Sequence, residues 1–162
     1  MTVVIIGVDP GLSTGVSVLA DARLSSAFQG MPEDALNELD GVLRRWTDHC
    51  TDTGTGTVLV ACERFQAAGR STHSHQPDAE RVFARTAALA SLYGVDFVEQ
   101  TPADAKRIAS DALLRRNGLW TLPRDVGCRD ANDANDAMRH AVLLLARRRA
   151  TMFNALLTQG AS

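Results

Sequence analysis

Two apolar runs each end in a carboxylate: Val3–Val8 leads into Asp9, and Val58–Cys62 leads into Glu63. A third acidic group, Asp130, Asp133 and Asp136, opens a helical stretch near residue 140. Positions 133 and 136 are three apart, so both lie on one face of a helix, and His140 continues that stripe one turn later. Each acid also has an ordinary reading. Asp9-Pro10-Gly11 is a turn signal, and acids in a first helical turn favour the positive end of the dipole. Taken together the three elements point to a carboxylate site, because clustered anions repel one another and need divalent cations between them. Hard oxygen ligands without a Cys/His set point to Mg²⁺ or Mn²⁺ rather than Zn²⁺. Gly11 and Gly15 let the chain turn after Asp9 and admit a phosphate without a Cβ in the way. The loop matches neither the Walker pattern nor the dinucleotide fingerprint.

Such a site needs elements that bring distant acids together. Val3–Ile6 is β-branched throughout and reads as a central strand buried on both faces. Thr14–Leu19 and Arg23–Phe28, joined by a tight turn at Asp21-Ala22, complete a three-stranded antiparallel meander. Pro32 opens an amphipathic helix with a stripe through Leu36, Leu39, Leu43 and Trp46, and a loop is expected over Thr51–Gly56. Val58–Cys62 follows as a strand, then a polar loop over Gly69–Asp78, a helix over Ala79–Tyr93 and a short strand at Val95–Val98. Pro102–Arg116 reads as one helix, Leu119–Arg129 as irregular, and Asp133–Arg149 as the last helix, with Met138, Ala141, Val142 and Leu145 facing inward. The expected architecture is a single α/β domain over 1–162, its last ten or so residues a tail. If the strands ending in Asp9 and Glu63 are parallel neighbours, the two carboxylates emerge together where open α/β sheets bind ligands.

Composition sets bounds on the rest. At 162 residues, 45% hydrophobic and 22% charged, the chain is too apolar for disorder and long enough for one core. The formal charge of -2 excludes a uniformly basic nucleic-acid coat, but it hides a gradient. Residues 1–63 carry a net of -6, residues 64–124 of +3 and residues 125–162 of +1. Two divalent cations at the acids would bring the total to about +2. Sixteen of the seventeen basic residues are Arg, which either reflects genomic base composition or suits bidentate phosphate binding. Cys50, Cys62 and Cys128 form no Cys-x-x-Cys pair, and no signal-like or membrane-spanning run is present, so a reduced, cytoplasmic location without a membrane partner is expected.

The motifs Ile6-Gly7-Val8-Asp9-Pro10-Gly11 with Thr14-Gly15, Glu63-Arg64-Phe65, and Asp133-Ala134-Asn135-Asp136-Ala137 resemble, in order, those of RuvC-type Holliday junction resolvases. That family belongs to the RNase H-like superfamily. The likeness spans most of the chain, only 109–129 having no clear counterpart, and looks most similar to short phage-encoded members, which would place the protein in a bacterial host cell. It implies an RNase H-like fold, a five-stranded mixed sheet of three antiparallel strands then two parallel, flanked by helices. Asp9, Glu63, Asp133 and Asp136 would be the catalytic ligands of two Mg²⁺ or Mn²⁺ ions, with Asp133 the position where some relatives carry His; Asp130 is left as a helix cap. The implied reaction is two-metal hydrolysis of phosphodiesters in four-way DNA junctions by a homodimer, with no small-molecule cofactor, leaving 5′-phosphate and 3′-hydroxyl ends.

Substrate contacts implied beside that site are Gly11, Arg64, Phe65 as a wedge against unstacked bases, Arg70, Lys106, Arg107, Arg115 and Arg116. Phe65 reads equally as a core residue, and Arg115-Arg116 as a solvated helix face. His73-Ser74-His75 suggests a DNA-facing loop, and His140 a helix-surface histidine, with proton transfer as its alternative role. The helix over 79–93, with Ala84, Ala87, Ala88, Ala90 and Ser91, is the candidate dimer face; packing on the sheet is its alternative. Two other functions stay open: an RNA-processing or flap-cutting nuclease of the same fold, similar to YqgF, and an actin or heat-shock type ATPase, whose phosphate loop also begins Asp-x-Gly.

Overall fold

The β-branched run near the start of the chain lies at the centre of a five-stranded sheet in the order β3-β2-β1-β4-β5. The computed structural model describes residues 2–64 and 77–159. Strands β1 (Thr2–Asp9), β2 (Thr14–Ala20) and β3 (Arg23–Gly30) form the antiparallel meander, while β4 (Gly56–Glu63) and β5 (Asp96–Gln100) run parallel to β1. Asp21 and Ala22 both take positive φ (48° and 62°), the turn geometry that matches strand twist in a two-residue hairpin. The Asp21 side chain accepts from Val3 N at 2.8 Å and ties that turn to β1.

Because side chains alternate along a strand, β1 feeds two cores. Val4, Ile6 and Val8 face α1 (Pro32–Thr53) and α2 (Pro77–Leu92), together with Val16, Val18, Val58 and Val60. Val3 and Ile5 face the other layer, which holds α6 (Asn132–Arg148) and α7 (Ala150–Gln159). Three further short helices, α3 (Pro102–Ile108), α4 (Asp111–Arg116) and α5 (Pro123–Val126), lead into α6.

Four boundaries differ from expectation, each for a local reason. Helix α1 continues through the threonine run to Thr53, where Gly54 at φ 63° ends it by donating its N–H to Thr51 O, while Thr47, Thr51 and Thr53 turn their hydroxyls to carbonyls four residues earlier. The helix expected over Pro102–Arg116 is broken: Ala109 leaves helical geometry and Ser110 caps α4 by accepting from Leu113 N at 3.3 Å. A single turn, α5, sits inside the stretch read as irregular and ends on Gly127 at φ 67°. Residues 150–159 are a helix and not a tail. Leu156 is 1% exposed, packed in the same cluster as α6 with Met152 and Phe153 at its edge.

Candidate active site

The site begins with the register of β1 against β4. Val8 pairs with Cys62 in a parallel ladder, so Asp9 and Glu63 leave the same end of the sheet side by side. Arg64 N donates to Gln100 O at 2.9 Å, which prolongs the β4–β5 pairing past Glu63 and fixes its backbone. Beyond Asp9 the turn is closed by buried Thr14, whose hydroxyl donates to Gly11 O at 3.0 Å and accepts from Gly11 N at 3.3 Å.

Helix α6 carries the other two acids, and the sheet is shaped to receive it. A Cβ on Gly7 would stand 1.9 Å from the carbonyl oxygen of Ala137, and one on Gly15 would stand 2.0 Å from that of Asp133. Gly15 therefore serves close approach of a helix, not of a phosphate. Ser17 donates to Ala134 O at 2.7 Å across the same contact. The first turn of α6 lacks a cap from its own N-cap residue, Ala131. Gln29 of β3 supplies one instead: its Oε1 accepts from Asp133 N (3.0 Å) and Ala134 N (3.1 Å), and its Nε2 donates to the carbonyl and carboxylate oxygens of Asp130. Asp130, the expected cap, stands one position before the N-cap residue Ala131 and accepts from Asn132 N at 3.2 Å; these donors hold its carboxyl below the usual range. Gln29→Leu strands two helix N–H groups in a buried setting, so it is expected to cost about 1–3 kcal/mol in a urea-unfolding measurement.

Asp9, Glu63, Asp133 and Asp136 line one cavity of about 670 Å³, together with Gly11 and Lys106. Burial, then the charges of Glu63, Asp136 and Asp133, push the Asp9 carboxyl well above the ordinary carboxylate value, against the pull of Lys106. Asp133 is raised by burial, opposed by a hydrogen bond from Ser13, with Asp130 and Asp136 adding to the rise. The raised Asp9 and Asp133 carboxyls beside Glu63 and Asp136 make an all-oxygen set of the kind that fits a divalent hard cation. Two of the acids also have partners of their own. His140 Nε2 lies 2.9 Å from Glu63, while Asp136 contacts the Arg139 guanidinium and has Lys106 Nζ at 3.4 Å. Turned to these partners, the acids do not close on one point, and among the described residues no three His, Cys, Asp or Glu side chains form a ready ligand cluster.

The remaining substrate candidates scatter. Arg64 is exposed, paired with Glu99 at 2.7 Å and lying over the Phe83 ring; Arg107 pairs with Asp104 at 3.2 Å. Arg115 stacks its guanidinium 3.7 Å above Trp120, and Arg116 is exposed at the end of α4. Phe65, Arg70 and His73-Ser74-His75 lie outside the described residues. His140 is not on the surface: it is 1% exposed, its Nδ1 3.0 Å from Gln100. Arg139, beside it on α6, is also buried. It donates Nε–H to Ala109 O at 3.2 Å and binds both Asp136 and Asp111, clamping α6 to the α3–α4 corner. No spacing rule exposes Gln29 or Gln100, whose partners are 40 to 105 residues away in sequence, or the reach of Arg139 to Asp111 and Ala109, 28 and 30 residues back.

The sheet order, its three antiparallel and two parallel strands, and the helix closing over β1 and β2 define an RNase H-like fold. Two solved structures of Thermus thermophilus RuvC share it. The structure in complex with Holliday junction substrate gives a TM-score of 0.53 at 16% identity, covering 97% of this chain and 95% of that one. The other gives 0.55 at 16% identity, over 91% and 97%. At that identity the likeness concerns the fold. No family model and no curated protein matches the sequence.

Proposed function

We propose that this chain is a metal-dependent endonuclease acting on branched DNA, four-way junctions foremost, with Asp9, Glu63, Asp133 and Asp136 holding two Mg²⁺ or Mn²⁺ ions. The observation that carries the reading is the convergence of these four carboxylates, from two parallel strand ends and one helix, on a single open cavity. Divalent ions bound there would supply an activated water and positive charge for the leaving 3′ oxygen. The chain's own residues prepare that chemistry. Asp9 and Asp133 offer oxygens whose charge is unfavourable until a cation arrives. Lys106, exposed on the cavity wall, offers a cation to an incoming phosphate. Arg115 and Arg116 extend positive charge along α4, where backbone phosphates of a branched substrate would run.

A junction has twofold symmetry and needs two cuts, which favours a homodimer. The proposed face on α2 keeps Ala84, Ala88 and Ser91 exposed and Ala87 partly so, with Leu92 75% exposed beside them. Ala90 drops out of that face, since it is fully buried against the sheet. Among the described residues no helix is long and apolar enough to cross a membrane.

The test offers the purified protein a four-way junction, a flap, a linear duplex and an RNA hairpin with Mg²⁺ or Mn²⁺. Paired nicks in the junction, abolished by Asp9→Asn and by Glu63→Gln, are expected. Preference for RNA would instead support the RNA-processing reading, and cleavage surviving both substitutions would reject the site.

A further inference from the structure

His140 is buried beneath the carboxylates with both ring nitrogens engaged. Nε2 lies 2.9 Å from Oε2 of Glu63, and Nδ1 lies 3.0 Å from the side-chain amide of Gln100. Gln100 is 3% exposed and pairs directly with Glu63 across the β4–β5 ladder, so three side chains from two strands and one helix form a row. A carboxylate only accepts, so the proton between His140 and Glu63 belongs to Nε2. Nδ1 then either donates to the amide oxygen or, left bare, accepts from the amide nitrogen. With the amide oxygen turned toward the ring, Gln100 Nε2 is a buried donor with no partner. Amide oxygen and nitrogen exchange places by a half turn, which is a choice set by the hydrogen-bond network. That half turn gives Nδ1 its donor and removes the orphaned one in a single step.

We propose that Gln100 and His140 are positioning residues for Glu63: the Gln100 amide donates to Nδ1, which fixes the Nε2–H tautomer, and Nε2–H holds Oε2 so that Oε1 is the oxygen presented to a divalent cation. The inference rests on Glu63 being a metal ligand. A glutamate at a strand end has a freely turning terminal carboxylate; a buried donor behind it selects one orientation, as outer hydrogen bonds do for metal ligands generally.

The experiment measures Mn²⁺ affinity of the full chain without DNA, by electron paramagnetic resonance of free Mn²⁺, beside nitrogen-15 spectra of the histidine rings in metal-free protein. The native spectrum is expected to show His140 with a protonated Nε2 and a bare Nδ1, and Gln100→Leu is expected to shift the Nδ1 resonance as its donor is lost. His140→Leu is expected to weaken Mn²⁺ binding about tenfold or more. His140→Gln, which places an amide donor near the lost Nε2, is expected to recover most of that loss. A native ring with bare Nε2 or protonated Nδ1 overturns the proposal, as does unchanged Mn²⁺ affinity in His140→Leu when Glu63→Gln binds weakly. If Glu63→Gln itself binds Mn²⁺ like the native chain, the ligand reading of Glu63 has failed, and the positioning role falls with it. The Glu63→Gln arm thus separates the two failures.

Discussion

Asp9→Asn is expected to melt roughly 3 °C or more above the native chain when divalent cations are chelated, while cutting no junction. That shift corresponds to about 1 kcal/mol in a domain of this length. The gain comes from removing a carboxylate that burial and three neighbouring acids hold well above its ordinary value of 3.8. Such a group binds its proton more tightly in the folded chain than in the unfolded one. The stability linked to it is therefore complete below the ordinary value and drains away as pH rises through the raised folded value. Metal-free native protein should lose stability from about pH 4 upward, and Asp9→Asn should lose less. Adding Mn²⁺ should restore the native protein near neutral pH and leave the Asn variant nearly unmoved. Thermal melts across that range, with chelator and with Mn²⁺, decide the matter. A native chain as stable in chelator as its Asn variant would show that the acid cluster carries no strain for a cation to relieve.

The second large effect belongs to the glycines under α6. Gly15→Ala and Gly7→Ala each drive a methyl into a backbone carbonyl, at 2.0 Å and 1.9 Å. Neither contact is with a flexible side-chain tip, so relief requires moving the helix off the sheet. A loss of at least about 3 kcal/mol is expected in denaturant unfolding. Gly41→Ala is the matched control. Gly41 lies inside α1 with nothing within 4 Å of an added Cβ, and the change is expected to stabilise by about 1 kcal/mol. Gly15→Ala unfolding at the native midpoint would mean that α6 is not seated as described. The damage should also reach chemistry, since the carbonyl Gly15 accommodates is that of Asp133 itself.

These two cases mark what the residues disclose unaided. The central strands announce themselves by β-branched, apolar runs, whereas the parallel pairing of β1 with β4 is only a condition that the family resemblance implies and the register bears out. Helix α6 is visible from its apolar spacing, and its acids from their three-residue interval. What stays hidden is how the helix is held. Gln29 caps it from β3, more than a hundred positions earlier, and a lone glutamine on a strand looks like any edge residue. Gly15 has an obvious local reading as part of a turn, yet its role is set by a carbonyl on another element. His140 lies on the same stripe as Asp133 and Asp136, and burial distinguishes it from a surface histidine. Burial is a property of the layer above the sheet, which no single segment encodes. The tail expected over the last ten or so residues is likewise replaced by helix as far as Gln159, because Leu156 packs into the same cluster as residues of the sheet and of α6.

The seating of α6 also governs the order in which a growing chain becomes competent. Asp9 and Glu63 leave the ribosome early, whereas Asp133 and Asp136 arrive only after nearly seventy further residues. Until then one face of the sheet, with Val3, Ile5, Leu59 and Ala61, has no helix to cover it. A polypeptide interrupted before residue 132 would hold half the acids and a bare apolar surface. Stalled synthesis would therefore yield a target for chaperones and proteases that carries only half of the carboxylate cluster.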